Sequence, residues 1–246
     1  MPSLANGRYD LLEVRGRGHF GVVWRATDLD LCEEVAVKVF DHNVILDEVV
    51  LEAQMLARLR KHKHIVDVRN AEFTLPEPFI VMEFLSNGSA EDRLVKGDLP
   101  LDRALRWTRD VLDALGHAHR LGVFHRDLKP GNILIGPAES GKLSDFGLSE
   151  DTLTGRSGSK DYRPHLAPEV AGGAPTSVLT DIFAMGCTIF RLVTNQHTFG
   201  GDPVRGRYVP AHHLNPQIPL GLSKVIDRAV AVSYTHLRAH ETGRNL

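Results

Sequence analysis

The stretch with the clearest chemistry runs from residue 125 to residue 134 and reads HRDLKPGNIL. It contains Asp127, Lys129 and Asn132, and Asp145 follows as the first residue of an Asp-Phe-Gly tripeptide. Carboxylate and amide oxygens suit Mg²⁺, which binds one or two carboxylates and keeps several waters. An aspartate can also accept the proton of a substrate hydroxyl. These residue types therefore indicate hydroxyl chemistry beside a divalent metal and a negatively charged group.

Three glycines near the start of the chain form a second pattern. Gly16, Gly18 and Gly21 have the spacing G-x-G-x-x-G, which alone fits either a dinucleotide-binding turn or a glycine-rich hairpin. Strand-like sequence flanks the glycines on both sides and no helix pattern follows, so the strand–turn–helix of the dinucleotide fold is not met. We predict a hairpin whose backbone N–H groups can approach phosphates.

Lys38 ends a Val-Ala-Val-Lys stretch on a predicted strand. A single lysine there is usually a solvated charge, but this one follows the glycine pattern and precedes an acidic helix. It is therefore a candidate for gripping phosphates. We expect Glu52 to hold its ammonium group, because Leu56 and Leu59 set that helix face toward the core; Glu48, one turn earlier, is the alternative.

The elements that must position these residues differ between the two halves of the chain. Short apolar or β-branched stretches predict antiparallel strands at 9–14, 22–26, 35–40, 65–74 and 79–84, with one helix over 46–59. Beyond residue 88 the patterns are helical. Apolar stripes are formed by Leu101, Leu105, Thr108, Leu112, Leu115 and His119, and by Ile182, Met185, Ile189 and Val193. We predict an α+β protein with a small β-rich lobe, a hinge at 84–88 and a larger helical lobe.

These motifs, followed by Ala167-Pro168-Glu169 and by Asp181, resemble a eukaryotic-type protein kinase domain, possibly a bacterial one. The resemblance covers residues 8–231. Lys129, two places after Asp127, is typical of the serine/threonine kinases rather than the tyrosine kinases. The expected fold is accordingly two-lobed, with an N-lobe at 8–84, a hinge at 84–88 and a C-lobe at 88–231.

The resemblance implies a role for each candidate residue. Asp127 would orient the substrate hydroxyl, Lys129 and Lys38 would contact phosphates, Glu52 would hold Lys38, and Asn132 and Asp145 would bind Mg²⁺ or Mn²⁺. The ATP site would also include Gly16, Gly18, Gly21, Val23, Ala36, Met82 as the gatekeeper, Glu83, Leu85 and Leu134. Asp181 would anchor the backbone of the catalytic loop.

The resemblance also implies regulation, and Arg15 departs from the family pattern. Arg126 beside the catalytic aspartate is typical of kinases activated by phosphorylation of the loop between Asp145 and Glu169. That loop offers Thr152, Thr154, Ser157 and Ser159, which autophosphorylation could modify. Arg15 stands where the family usually has an aliphatic residue over the adenine, so we expect its stem to pack and its charged end to reach water.

The composition of the chain limits the classes of binding partner that we expect. The chain has 29 basic and 31 acidic residues and a net charge of −2, which does not favour nucleic acid. Cys32 and Cys187 are interpreted as buried thiols of a reducing compartment, and a cytoplasmic catalytic domain is expected. The partners expected are protein substrates with Ser or Thr. A membrane anchor beyond the domain stays open, because bacterial kinases of this type often continue into a juxtamembrane segment.

The last residues have a different character. Residues 232–242 match one translated frame of a transposon-type sequencing adapter, so we interpret 232–246 as an artefact that follows an incomplete kinase domain. Three alternatives to an active kinase remain: a pseudokinase or ATP-binding regulatory module, an inactive truncated fragment, and a kinase-like phosphotransferase acting on small molecules.

Overall fold

The structure, a computed structural model, describes residues 3–18, 21–41, 46–59, 62–73, 77–97, 99–146, 164–203 and 206–242. The chain divides into two compact units, residues 1–87 and residues 88–246. The first is built on an antiparallel sheet and the second is mainly helical. The predicted α+β class is confirmed.

The first unit is a six-stranded sheet with one helix. Its elements are β1 Ser3–Leu4, β2 Tyr9–Gly18, β3 Gly21–Asp28, β4 Glu33–Phe40, α1 Leu46–Arg58, β5 Val68–Glu72 and β6 Phe79–Glu83. The strand order is β1-β2-β3-β4-β6-β5, and every pair is antiparallel. β2 is longer than predicted because its pairing with β3 continues to the Gly18–Gly21 pair at the hairpin end.

One face of this sheet carries the apolar core of the unit. Alternate residues of each strand point to the same face, so Val35 and Val37 of β4 share a face with Ala26 opposite Val35 on β3 and Val81 opposite Val37 on β6. The cluster on this face consists of Leu4, Tyr9, Leu11, Ala26, Val35, Val37, Phe79 and Val81. The strand residues between them point to the opposite face of the sheet.

The second unit is mainly helical, and its described residues include three long helices. Its elements are α2 Ala90–Lys96, α3 Leu101–Arg120, β7 Ile133–Ile135, β8 Gly141–Leu143, α4 Pro168–Ala171, α5 Val178–Thr194, α6 Ala211–Leu214 and α7 Leu220–Thr242, with 3₁₀ turns at Pro130–Asn132, Pro137–Glu139 and Thr198–Gly201. β7 and β8 form a two-stranded antiparallel sheet.

Helix α5 is buried on nearly every side, as its apolar sequence predicts. It begins with a capping box, in which the Ser177 hydroxyl accepts hydrogen bonds from the amides of Leu179 and Thr180. It ends at Asn195, whose left-handed backbone closes the last turn. Such a helix is a rigid support for residues that bond to its side chains.

The predicted stripe of α3 is confirmed for Thr108 and Leu115, which are buried, but it is wrong for Leu112 and in its phase. Leu112 is 47% exposed, whereas the buried face is formed by Ala104, Trp107, Thr108, Val111, Ala114, Leu115 and Ala118. These residues also recur at helical spacing, and the alanines let neighbouring elements approach closely. The position of Trp107, which is fully buried, decides which side of the helix faces inward.

The two cysteines differ in their surroundings. Cys187 on α5 is buried, and burial raises the pKa of its thiol to about 12. Cys32 is exposed, so its prediction as a buried residue was wrong. It lies in the β3–β4 turn with a left-handed backbone, and a turn of this kind projects from the sheet into solvent. Among the described residues, no helix is long and apolar enough to cross a membrane.

Candidate active site

The face of the first sheet opposite the apolar cluster carries most of the predicted nucleotide-binding residues of this unit. Gly16 lies opposite Val23, and Val23 lies opposite Lys38, which makes a row across three strands. Two residues before Lys38 on β4, Ala36 lies opposite Met82 of β6. Because residues directly opposite share a face, sheet register alone brings these five residues to the same side.

Lys38 is nearly buried although it carries a charge. Its Nζ atom lies 5.1 Å from the centre of the Phe40 ring, a distance at which an ammonium is attracted to an aromatic face. The backbones of Glu48 and Glu52 belong to α1, but their side chains lie outside the described residues, so the pairing of Lys38 with Glu52 stays a prediction.

The glycine hairpin needs glycine for different reasons at its two sides. Gly21 has φ = +148°, and a Cβ added there would clash with the carbonyl oxygen of Val39 on β4. A Cβ added at Gly16 would meet no atom of the described residues within 4 Å, so the described part of the hairpin leaves space beside this residue. The sheet therefore requires Gly21, whereas Gly16 leaves room for a ligand next to Val23. Residues 19 and 20 lie outside the described part of the chain.

Two arginines that border this face meet at one aromatic ring. The guanidinium carbons of Arg15 and Arg25 lie 5.9 and 5.6 Å from the centre of the Phe84 ring. Glu13 accepts hydrogen bonds from both arginines, at 3.2 and 3.4 Å, and Glu34 pairs with Arg25. The charged end of Arg15 is thus held by Glu13 and Phe84, in addition to the contact with water expected from the sequence.

The sequence interpretation missed Arg25 and Phe84. Arg25 lies two residues after Val23 on the same strand, so strand alternation could have placed it on the same face.

The other predicted residues of this unit, Glu83 and Leu85, lie at the end of the sheet. Glu83 ends β6 and Leu85 lies two residues beyond it. The Glu83 carboxylate accepts a hydrogen bond from the Asp67 amide at 2.8 Å.

In the second unit, the loop from 125 to 134 is anchored by Asp181 of α5. One carboxylate oxygen accepts hydrogen bonds from the His125 amide and the His119 ring, both at 2.8 Å, and the other accepts from the Arg126 amide at 2.9 Å. Asp181 is 1% exposed, so these bonds lie in a region of low dielectric. They stabilise a backbone in which Arg126 has φ = +72°, a conformation unusual for a residue other than glycine.

Asp127 is oriented by two neighbours in the same loop. Its Oδ2 atom accepts hydrogen bonds from Lys129 Nζ at 2.6 Å and from Asn132 Nδ2 at 3.0 Å. Asn132 Nδ2 also donates to the Asp127 carbonyl oxygen at 2.7 Å. Both side-chain bonds converge on Oδ2, while the Asp127 side chain as a whole remains one-third exposed, at 33%. A reacting hydroxyl can therefore reach an oriented carboxylate.

The β7–β8 pair brings the two predicted metal ligands together. Asn132 directly precedes β7 and Asp145 follows β8 by two residues, and Ile133 lies opposite Leu143. Between the strand ends, the Ser144 amide and hydroxyl donate to the Asn132 carbonyl oxygen at 3.0 and 3.2 Å. The Ser144 hydroxyl also lies 3.3 Å from Asp145 Oδ2.

The donor atoms of this pair fit Mg²⁺. Since Asn132 donates through Nδ2, its side-chain carbonyl oxygen is the atom offered to a metal, beside the Asp145 carboxylate. The described residues contain no cluster of three His, Cys, Asp or Glu side chains suited to a metal. An amide and a carboxylate leave most coordination positions to water and phosphate oxygens, which is the usual arrangement for this ion.

His125 connects the loop to the Asp-Phe-Gly segment. Its Nε2 lies 2.8 Å from the Ser144 carbonyl oxygen, and its ring centre lies 4.6 Å from that of the buried Phe146. Burial lowers the pKa of His125, which keeps the ring neutral. A neutral ring with hydrogen on Nε2 can donate to Ser144 and leave Nδ1 to accept from the Asp127 amide at 3.3 Å.

Several other predicted positions are only partly described. Leu134 lies on β7 and is partly buried, and Glu169 is buried on α4. Gly147, Thr152, Thr154, Ser157 and Ser159 lie outside the described residues, as do the side chains of residues 232–246.

Comparisons with known proteins agree on one family. Residues 9–218 match the family model described as a protein kinase domain. The chain is 32% identical over 244 residues to a probable serine/threonine-protein kinase, PknB, of Lactococcus lactis, covering 91% of this chain and 39% of the relative. It is 30% identical over 259 residues to the serine/threonine-protein kinase PrkC of Bacillus subtilis, covering 98% of this chain and 40% of the relative. The chain thus spans about two-fifths of the length of these relatives.

A solved structure gives the same result for the fold. A crystal structure of Rad53 1–466 in complex with AMP-PNP superposes with a TM-score of 0.75 and 27% sequence identity. The match covers 92% of this chain and 61% of that chain.

Proposed function

We propose that this chain, which belongs to the protein kinase family, is an ATP-dependent serine/threonine protein kinase. It would transfer the γ-phosphate of ATP to Ser and Thr hydroxyls of proteins. The observation that carries the proposal is the convergence of Lys129 and Asn132 on one oxygen of Asp127, with Asp145 linked to Asn132 through Ser144. The names of the bacterial relatives support the choice of serine and threonine.

Asp127 would receive the substrate hydroxyl. Its carboxylate orients the hydroxyl oxygen toward the γ-phosphorus and accepts the proton as the new P–O bond forms and the bond to the β-phosphate oxygen breaks. Lys129 and Asn132 keep the carboxylate in one position, which lowers the entropic cost of alignment. Lys129 would also bring positive charge to the oxygens of the transferring γ-phosphoryl group.

Asn132 and Asp145 would hold Mg²⁺ or, with the same oxygen donors, Mn²⁺. When bound, the metal neutralises charge on the phosphates. The contacts made by Ser144 support both ligands: it holds the Asn132 backbone and approaches one oxygen of Asp145. We propose the amide carbonyl of Asn132 and the Asp145 carboxylate as the ligand groups.

The nucleotide would lie against the face that carries Val23, Ala36, Lys38 and Met82. We propose that Lys38, assisted by Glu52, grips the α- and β-phosphates while the backbone of Gly16, Gly18 and Gly21 approaches them. Val23, Ala36, Met82 and Leu134 would contact the adenine ring, and Glu83 and Leu85 would line its edge. The shared face of the sheet residues and the open space at Gly16 support this assignment.

The boundaries and the regulation are part of the proposal. The kinase domain would extend over 8–231, with residues 8–84, 84–88 and 88–231 as N-lobe, hinge and C-lobe, and 232–246 would be adapter-derived. Phosphorylation of Thr152, Thr154, Ser157 or Ser159 would place a charge that Arg126 can neutralise. A reducing, cytoplasmic location is proposed because both cysteines are free.

The direct test is transfer from γ-labelled ATP. The 246-residue chain is incubated with Mg²⁺ and a mixture of proteins, and the label is assigned to Ser, Thr or other residues. We expect label on Ser and Thr that disappears with EDTA, and loss of Mg²⁺-dependent transfer in Asp145→Asn but not in the exposed control Asp102→Asn. Nucleotide binding without transfer would instead favour a pseudokinase, and label on small molecules alone would favour the third alternative.

A further inference from the structure

A second group of ionisable side chains, beyond the predicted catalytic residues, lies close to the catalytic loop. We name it the His–Arg cluster: His165, Arg191 and His197. The His165 and His197 ring centres are 6.1 Å apart. His165 precedes the Ala167-Pro168-Glu169 motif, Arg191 lies on the last turn of α5, and His197 follows that helix.

The electrostatic surroundings of His165 connect this cluster to the catalytic loop. Burial lowers the pKa of His165 to about 3, and the neighbouring His197, Lys129 and Arg191 act in the same direction. Asp127 acts in the opposite direction. His165 is therefore within electrostatic range of the carboxylate proposed to accept the substrate proton and of two permanent cations.

Two buried nitrogen atoms of the cluster have hydrogen-bonding capacity left over. His165 Nδ1 and Arg191 Nε make no hydrogen bond with the described residues, although both are inaccessible to water. Arg191 is only 13% exposed; it contacts Glu91 Oε1 through Nη2 at 3.0 Å and the Asn195 carbonyl oxygen through Nη1. Unsatisfied buried polar atoms are uncommon in proteins and often occur at functional positions.

Positive and negative side chains near the cluster do not balance. Lys129 and Arg191 are positive, and Asp127 would be engaged by the reacting hydroxyl. This leaves Glu91 as the acidic side chain bound to Arg191, and it is 37% exposed, so the ion pair is open to solvent on the Glu91 side, where a substrate carboxylate could compete with Glu91. An arginine offers five N–H donors, more than Glu91 and Asn195 use here.

We infer that Arg191 of the His–Arg cluster selects protein substrates with an Asp or Glu close in sequence to the phosphorylated Ser or Thr. The inference rests on the proposed kinase function. Helices α2 and α5, which carry Glu91 and Arg191, both pack against the Pro130–Asn132 turn that follows Asp127. Because an extended peptide spans about 3.3–3.6 Å per residue, a side chain a few residues from a hydroxyl bound at Asp127 would reach these helices. An acidic neighbour would pair with Arg191, whereas a basic one would be repelled by Arg191 and Lys129.

The test compares peptides with a single Ser. Asp, Asn or Lys is placed in turn at each of the three positions on either side of the Ser, and kcat and KM are measured separately. At one or more positions we expect a KM about fivefold lower for Asp than for Asn, from a partly exposed ion pair of about 1 kcal/mol. The KM for Lys should be higher than for Asn, and the difference should shrink at high salt.

Two variants assign the effect to the cluster. Arg191→Gln should abolish the preference for Asp, and Glu91→Gln should enlarge it, because the guanidinium is then freed from its internal partner. Arg109→Gln, on the exposed surface of α3, is the matched control and should keep the wild-type preference. Thermal melts of all three establish that they are folded.

Equal KM values for Asp and Asn peptides, or a preference that survives Arg191→Gln, would overturn the inference alone. If no peptide and no protein is phosphorylated, the proposed kinase function fails and this inference fails with it.

Discussion

The two units hold their candidate residues in different ways. In the first unit, the register of neighbouring strands brings Gly16, Val23 and Lys38 together. Many backbone hydrogen bonds maintain that register. In the second unit, Asp127 and Asp145 lie on irregular backbone outside strands and helices. Their positions depend on a few side-chain contacts, above all those made by Asp181 and Ser144.

This difference predicts different weak points. A sheet tolerates the loss of one polar contact because its neighbours still define the register, but it does not tolerate a side chain where two strands approach closely. A loop stabilised by a few buried polar groups tolerates little change in those groups, because each unpaired amide costs free energy.

The largest effect is expected from Asp181→Asn. The amide group cannot accept hydrogen bonds from His125, Arg126 and His119 as the carboxylate does, and buried donors lose their partners. We expect the free energy of unfolding to fall by about 3 kcal/mol, together with a large loss of phosphoryl transfer.

Urea denaturation and transfer assays measure this, with Asp102→Asn on the exposed first turn of α3 as the control. Nucleotide affinity of the remaining folded protein should change much less than transfer. An unfolding free energy equal to that of the wild type would contradict the anchoring role of Asp181.

A matched pair of glycine substitutions tests the sheet. Gly21→Ala introduces a Cβ against the Val39 carbonyl oxygen at a backbone φ of +148°, and we expect it to cost about 2 kcal/mol of stability. Gly16→Ala meets open space and should leave the unfolding free energy within about 0.5 kcal/mol of wild type. Chemical denaturation measures both. Equal losses of stability in the two variants would show that the close approach of Gly21 to Val39 is not the cause of the loss.

The stability of the second unit should depend on pH through His125. Burial depresses its pKa in the folded protein, so below the ordinary value of 6.5 the unfolded chain binds the proton more readily. The stabilising effect of the neutral ring is fully present above pH 6.5 and is lost as pH falls toward the folded-state pKa, at up to about 1.4 kcal/mol per pH unit.

Urea titrations at several pH values between 7.5 and 5 measure this slope. His125→Gln should be less stable at pH 7 but should show a shallower slope. His213→Gln, on an exposed side chain, should follow the wild type. A steeper slope in His125→Gln would contradict the expectation.

The smallest effect is expected from Arg15→Leu. It removes one of the two guanidinium groups near Phe84 and restores an aliphatic side chain over the proposed adenine site. Burying roughly one CH₂ group of the leucine against the adenine contributes about 0.8 kcal/mol, so nucleotide affinity should rise by about two- to fivefold. Calorimetry with an ATP analogue checks this. Arg17→Leu, two residues along the same hairpin, is the control, and an equal effect there would contradict a special role of position 15.

The parts of the fold that sequence predicted are those with a simple period or a dense motif. Alternation along β4 indicates that Val35 and Val37 share a face and that Lys38 lies on the other. The phase of α3 was wrong because two stripes have helical spacing, and packing around Trp107 decides between them. The prediction that Cys32 is buried was wrong because its place in a turn outweighs the average tendency of cysteine to be buried.

Contacts between residues distant in sequence were the least predictable part of the site. The meeting of Arg15 and Arg25 at Phe84 depends on the relative register of three strands and on the residue that follows β6. The His–Arg cluster likewise joins a residue before α4 to residues at and just beyond the end of α5. No local pattern in the sequence encodes either meeting.

The most direct test of the account is Asp127→Asn, with nucleotide binding and phosphoryl transfer measured on the same preparation. If the first unit holds the nucleotide and Asp127 acts on the hydroxyl, ATP affinity should stay within about threefold of wild type while transfer falls by about 10²–10⁴-fold. Transfer at the wild-type rate, or loss of ATP binding together with transfer, would contradict the role assigned to Asp127.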